Sequence, residues 1–303
     1  MNKVNPPLVS IVIPCYNHEN FVQDCIQSVL DQTYQNIELI IIDDGSKDDS
    51  VLKIKQMLDK CEKRFFRFEF RYRPNKGLSA TLNEALEWCQ GEYLAPFASD
   101  DIMCNFRIEK QVEHFSKITN ENVDGVFGGY YLIDNSNKIL TQVVGEYREF
   151  NNTQIIMHQF ELPAPTALLR LCKVKDVGGY DPNIKIEDWY MWLKLTEKGR
   201  KLIYIPEVLC YYRSHPTNSS KNLQFMYDES FKLLNLFKDN KDYLRAVKNI
   251  EGHKVTDDLN VNTVLAISGA CRIVRNYPTE IFSRNILRFI YYCFKGLKKW
   301  FSS

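Results

Sequence analysis

The chain has 303 residues, enough for one large domain or for a catalytic domain with an appendage. Its 39 Lys and Arg nearly balance 38 Asp and Glu for a net charge of +1, so no global field attracts nucleic acid or an acidic polymer. Nine cysteines, scattered and never spaced Cys-x-x-Cys, read as reduced thiols of a cytoplasmic protein, and neither a signal-peptide pattern nor an apolar run of roughly 20 residues is present, so a soluble or peripheral protein is expected.

Val9 to Pro14 is an apolar, β-branched run that stops at a proline and predicts a buried strand. From Phe21 the apolar positions Phe21, Val22, Cys25, Ile26, Val29 and Leu30 fall at helical spacing, with Asn17 as a candidate cap. Ile37 to Ile42 predicts a second buried strand and a helical stretch follows from Asp49. Phe66 to Tyr72, the stripe Leu78, Leu82, Ala85, Leu86 and Cys89, and Tyr93 to Phe97 repeat the strand, helix, strand order. This alternation predicts an α/β fold, a mostly parallel sheet flanked by helices, with ligand groups gathered at the carboxyl ends of the strands. Further on, the pattern predicts a helix over 105–118, a strand over 125–133, a loop around Pro163-Ala164-Pro165, and helices from 223 to the end. The expected organisation is a catalytic domain over 1–220 and a helical C-terminal region over 221–303.

Four polar clusters can carry chemistry, and each has a plain structural alternative. Asp43-Asp44-Gly45-Ser46 follows a strand end; a carboxylate there can hold a base or ribose, or simply form the turn. Ser99-Asp100-Asp101 offers paired carboxylates that suit a hard divalent cation, or the start of a helix. In Glu187-Asp188-Trp189 an acid beside an aromatic can be a general base, although helix N-termini also favour acids. His215, in Tyr211-Tyr212-Arg213-Ser214-His215, can be a metal ligand or a structural histidine.

Taken in order, VSIVIPCYN (9–17), DDGS (43–46), NKGLSATLN (75–83), GEYLAPFASDD (91–101), GGYDPNIKIEDW (178–189) and YYRSHPTN (211–218) resemble family 2 glycosyltransferases with the GT-A fold. The resemblance implies a Rossmann-like catalytic domain that binds a nucleotide-sugar donor, a UDP-sugar first, through Pro14, Tyr16, Asp44 and Asp100. It implies a Mn²⁺ or Mg²⁺ site at Asp101 and His215 and a general base at Asp188. Many members begin the metal motif with a further Asp, where this chain has Ala98. The implied reaction is inverting transfer of a hexosyl or N-acetylhexosaminyl group to an acceptor hydroxyl. The expected acceptor is a glycan linked to polyprenyl diphosphate, in O-antigen or capsule synthesis. The alternatives are a polyprenyl-phosphate monosaccharide synthase and a non-catalytic sugar-nucleotide-binding protein.

In Ile281 to Phe301 the basic residues Arg284, Arg288, Lys295 and Lys299 recur at helical spacing beside Phe289, Ile290, Leu297 and Trp300. Such a helix fits an anchor on the anionic inner face of the cell membrane, or a packing helix with a solvated basic edge.

Overall fold

A computed structural model describes residues 6–118, 122–215, 218, 221–261 and 263–277. The segment 281–301, with its expected basic helix, lies outside the described residues.

The first half alternates strand and helix. β1 (Val9–Cys15), β2 (Ile37–Asp43), β3 (Arg67–Tyr72) and β4 (Tyr93–Pro96) are parallel, in spatial order β3-β2-β1-β4. β2 is buried along its length and β1 everywhere but Pro14, which is why both read as continuous apolar runs: a sheet covered on both faces has no polar side to alternate with. Ile11, Ile13, Leu39 and Ile41 join Val22, Cys25, Ile26 and Val29 of α1 (Val22–Leu30) in the main core. The intervening Val12, Ile40 and Ile42 point the other way, and α4 (Leu78–Trp88) also packs on β1 and β2. The helical stretch after Asp49 is split into α2 (Ser50–Lys55) and α3 (Leu58–Arg64).

The second half of the sheet is mixed. After β5 (Ile102–Met103) and α5 (Arg107–Lys117) come β6 (Val123–Ile133), β7 (Ile139–Val143), β8 (Arg148–Phe150), α6 (Asn152–Ile156) and β9 (Leu168–Arg170). α7 (Leu171–Asp176), α8 (Glu187–Thr196) and β10 (Lys201–Arg213) follow. β9 runs antiparallel between β4 and β6, while β10 lies parallel to β6 and antiparallel to β5. The pairing of β10 with β6 shifts register between Tyr204 and Cys210, around Pro206, which has no N–H for the ladder. Gly128 faces this irregularity: a Cβ there would stand 2.6 Å from the Glu207 carbonyl oxygen.

The chain divides into two compact units, one comprising residues up to 155 with 159–221, the other 156–158 with the residues from 222 onward. In the second, α9 (Leu223–Asn235) is capped by Asn222, and α10 (Tyr243–Val261) and α11 (Thr263–Asn276) pack through Val255, Ala270 and Ile273. No helix among the described residues is long and apolar enough to cross a membrane. The eight described cysteines are free thiols, and only Cys172 and Cys271 are exposed.

Candidate active site

The loops that leave β1, β2 and β4 at their carboxyl ends are tied to one another. Asn17, expected to cap α1, instead sits at φ 55° and accepts the Lys47 N–H at 2.7 Å, while α1 begins after Phe21 with no side-chain cap. Asn tolerates the left-handed conformation that lets it turn away from the helix. His18 and Glu19 add bonds to the segment after β2: the His18 N–H donates to Ser50 Oγ at 2.9 Å and the Glu19 N–H to Asp48 at 3.0 Å. Within that loop Asp43 folds the turn by accepting from the Gly45 and Ser46 N–H groups. Gly45 has φ +77°, and a Cβ there would meet the Asn75 nitrogen at 2.6 Å.

Asp44 is buried and takes the Lys76 N–H at 2.8 Å, the Gly77 N–H at 2.9 Å and the Arg73 guanidinium. It thereby fixes the entry to α4. Pro14, the next-to-last residue of β1, lies opposite Ile42, and Tyr16, in the loop beyond the strand, is 45% exposed.

The acids after β4 part company. Asp100 Oδ2 lies 2.8 Å from His215 Nε2 and 4.0 Å from His18 Nε2, and the donor atoms of these residues all lie within 4.8 Å of one another. Asp101, 1% exposed, accepts the Arg213 N–H at 2.8 Å through Oδ1, and its Oδ2 has no hydrogen-bond partner. Burial and then the neighbouring Asp100 push the Asp101 carboxyl well above the ordinary range. A buried carboxylate with an unsatisfied oxygen beside a second acid is a costly arrangement that a cation relieves. Carboxylate and imidazole are also suitable donors for a divalent transition ion. The residues therefore fit a metal, with His215 and Asp100 in direct reach. Asp101, expected as the ligand, accepts the Arg213 N–H through Oδ1 and keeps Oδ2 without a hydrogen-bond partner.

Arg213 organises this corner. Fully buried, it donates from Nε to the Asp100 carbonyl at 2.7 Å and from Nη1 to the Asp134 carbonyl at 2.9 Å, with its guanidinium over the Phe21 ring.

Asp188 is the second residue of α8, its Oδ1 accepting the Trp189 N–H at 2.7 Å. The loop ahead of it is pinned to α4: Asn83 bonds both the N–H and the carbonyl of Tyr180, and Ser79 bonds the Ile184 carbonyl. Trp189 is fixed by its indole N–H to the Ile155 carbonyl at 2.8 Å. Asp188 lines a cavity of about 440 Å³ whose walls include Tyr130, Tyr204, Tyr212 and the segment 161–165. Burial raises the Asp188 carboxyl, and burial together with Asp188 pushes Glu187 up to about 8.

Residues 10–174 match the sequence family described as glycosyl transferase family 2. An uncharacterized glycosyltransferase of Rickettsia typhi is 32% identical, the alignment covering 71% of this chain and 68% of that one. The chain belongs to glycosyltransferase family 2. It is also similar to the Escherichia coli UDP-Glc:α-D-GlcNAc-diphosphoundecaprenol β-1,3-glucosyltransferase WfaP, 32% identical over 71% of this chain and 80% of the other. Chondroitin synthase of Escherichia coli is 30% identical over 76% of this chain, a region that is 32% of that protein. Among solved structures, the mannosyltransferase PcManGT of Pyrobaculum calidifontis, in complex with GDP-Man and Mn²⁺, superposes with a TM-score of 0.60 at 10% identity, covering 95% of this chain and 84% of its own. TarS 1-349 of Staphylococcus aureus with UDP-GlcNAc gives 0.58 at 15% identity, covering 82% and 80%. The fold is GT-A.

In this family 2 glycosyltransferase the structure joins Asp100 to His215, and brings in residues that sequence reasoning did not single out. His18 follows the first strand, but a lone histidine in a loop carries no metal signal until the fold brings it to Asp100. Arg73 and Arg213 pair with acids and carbonyls 29 and 113 residues away, so no local pattern marks them.

Proposed function

We propose that this glycosyltransferase moves a hexosyl or N-acetylhexosaminyl group from a nucleotide-sugar, a UDP-sugar first, onto a hydroxyl of a polyprenyl-diphosphate-linked glycan, with inversion, in surface-polysaccharide assembly. The observation that carries this reading is an acid with a raised proton affinity, Asp188, facing a cavity walled by tyrosines. Tyrosine rings offer stacking faces and hydroxyls suited to a sugar acceptor. The kinship to WfaP, whose name states a diphosphoundecaprenol-linked acceptor, supports the lipid-linked class.

In the proposed reaction Asp188 accepts the proton of the acceptor hydroxyl as that oxygen bonds to the anomeric carbon. The bond from that carbon to the phosphate oxygen breaks, and the nucleoside diphosphate leaves with the electron pair. Tyr16, Pro14 and Asp44 are assigned to the nucleotide, Asp44 by holding the Lys76–Gly77 backbone in place. Asp100 and His215 would hold Mn²⁺ or Mg²⁺, with Asp101 the adjacent acid. A bound divalent ion supplies charge neutralisation at the diphosphate. The stripe Arg284, Arg288, Lys295 and Lys299 supports peripheral attachment at the inner face of the membrane.

The test is transfer from a panel of nucleotide-sugars to polyprenyl-diphosphate glycans, with product linkage read by NMR. Asp188→Asn keeps shape and loses basicity, so transfer should fall by about 10²- to 10⁴-fold while UDP and metal still bind. A retained anomeric configuration, or transfer by the variant near the wild-type rate, overturns the assignment.

A further inference from the structure

We propose that His18, in the loop after β1, is a third donor to the metal ion, completing a His-Asp-His set that selects nitrogen-seeking transition ions such as Co²⁺ over Mg²⁺. The proposal rests on the reading above that Asp100 and His215 hold a divalent ion. His18 Nδ1 lies 2.7 Å from Ser99 Oγ, so with the ring proton on that nitrogen the lone pair is left on Nε2. That Nε2 faces Asp100 Oδ2 at 4.0 Å, too far for a hydrogen bond and a separation that two ligands of one ion can adopt. His215 Nε2 lies 2.8 Å from the same oxygen. Both imidazoles are held by the same wall: the Phe21 ring stacks on His215 at 5.7 Å and meets His18 edge-on at 6.1 Å. Ser99 stands behind His18 as an outer-shell partner that aims the ring, the usual companion of a metal-binding histidine.

The consequence is ion selectivity. A site of carboxylates and water favours Mg²⁺ and Mn²⁺, whereas each imidazole shifts preference toward ions later in the first transition row. Two imidazoles and one carboxylate should make Co²⁺ bind well above Mg²⁺, with Mn²⁺ between them.

The full chain with UDP is titrated with Co²⁺, Mn²⁺ and Mg²⁺ by calorimetry, and nitrogen coupling to bound Mn²⁺ is counted by pulsed electron paramagnetic resonance. Wild type should show two coupled imidazoles. His18→Gln should show one, lose about 10-fold or more in Co²⁺ affinity and leave Mg²⁺ affinity nearly unchanged. Ser99→Ala, which keeps the imidazole and releases its ring, should give a smaller Co²⁺ loss, and it serves as the test if His18→Gln fails to fold. If both variants bind Co²⁺ as wild type does while Asp100→Asn does not, His18 is no ligand and the metal reading survives without it. If wild type binds none of the ions with UDP, the metal reading and this inference fall together.

Discussion

Replacing Arg213 by Lys tests whether geometry or charge holds the metal corner. The guanidinium satisfies two carbonyls, the buried one of Asp100 and the part-buried one of Asp134, from different nitrogens of one rigid plane. A single ammonium on a flexible stem keeps the positive charge near Asp101 but can serve only one of those carbonyls at good geometry. If it is the buried Asp100 carbonyl that loses its partner, the cost is about 1–3 kcal/mol, and losing the packing of the planar group over Phe21 adds to it, for a total of roughly 2–4 kcal/mol. Because one of the released carbonyls belongs to Asp100, its side chain should lose its alignment on His215. Metal-supported UDP binding should then weaken by about 10-fold or more. Urea denaturation followed by fluorescence gives the first quantity and calorimetry with Mn²⁺ and UDP the second. An Arg213→Lys protein with wild-type midpoint and affinity would refute the reasoning, since charge alone would then suffice.

The Glu187 carboxyl, raised from 4.5 to about 8, makes the folded protein bind a proton that the unfolded chain releases. Its contribution to stability is therefore lost as pH rises from about 4.5 to about 8. Glu187→Gln should remove that slope, leaving stability near wild type at pH 4 and above it at pH 9 by no more than a few kcal/mol, as read from denaturation midpoints across pH. Equal midpoints at high pH would show that Glu187 ionises freely. Asp44→Asn places its amide N–H₂ either against the Gly77 N–H or against the Lys76 N–H and the Arg73 guanidinium, which share the other oxygen. It should destabilise the chain by about 1–3 kcal/mol and weaken UDP binding, with calorimetry as the check; intact UDP affinity would free Asp44 from the nucleotide site. Asp188→Asn and His18→Gln supply the catalytic and metal tests described above.

Much of the architecture was legible because local chemistry dictated it. Runs such as Ile37 to Ile42 are apolar on both faces, and the stripe of α4 has a helical period, so strand and helix follow from neighbours in the sequence. β10 was not read as a strand, since Pro206 interrupts its pattern and its length depends on pairing with β6, which lies far away in sequence. The Asn17 cap failed for a related reason. A cap needs only a short polar side chain near a helix start, and Asn17 meets that condition, yet the competing Lys47 N–H comes from a loop that only tertiary folding brings near.

The same distinction explains the division of work between Asp100 and Asp101. Spacing shows that two adjacent carboxylates follow a strand end, but it does not show which one a ligand meets, because consecutive side chains in non-helical backbone diverge. Asp101 is claimed by the Arg213 backbone N–H at the end of β10, while Asp100 is left facing His215 just beyond that strand's end and His18 in the loop after β1. The Arg213 N–H and His215 both come from β10 and its continuation, so these two contacts depend on the strand that the sequence pattern conceals. Residues that sequence motifs supply as a pair thus acquire separate partners, one facing two imidazoles and one bonded to the Arg213 backbone, only when the sheet closes around them.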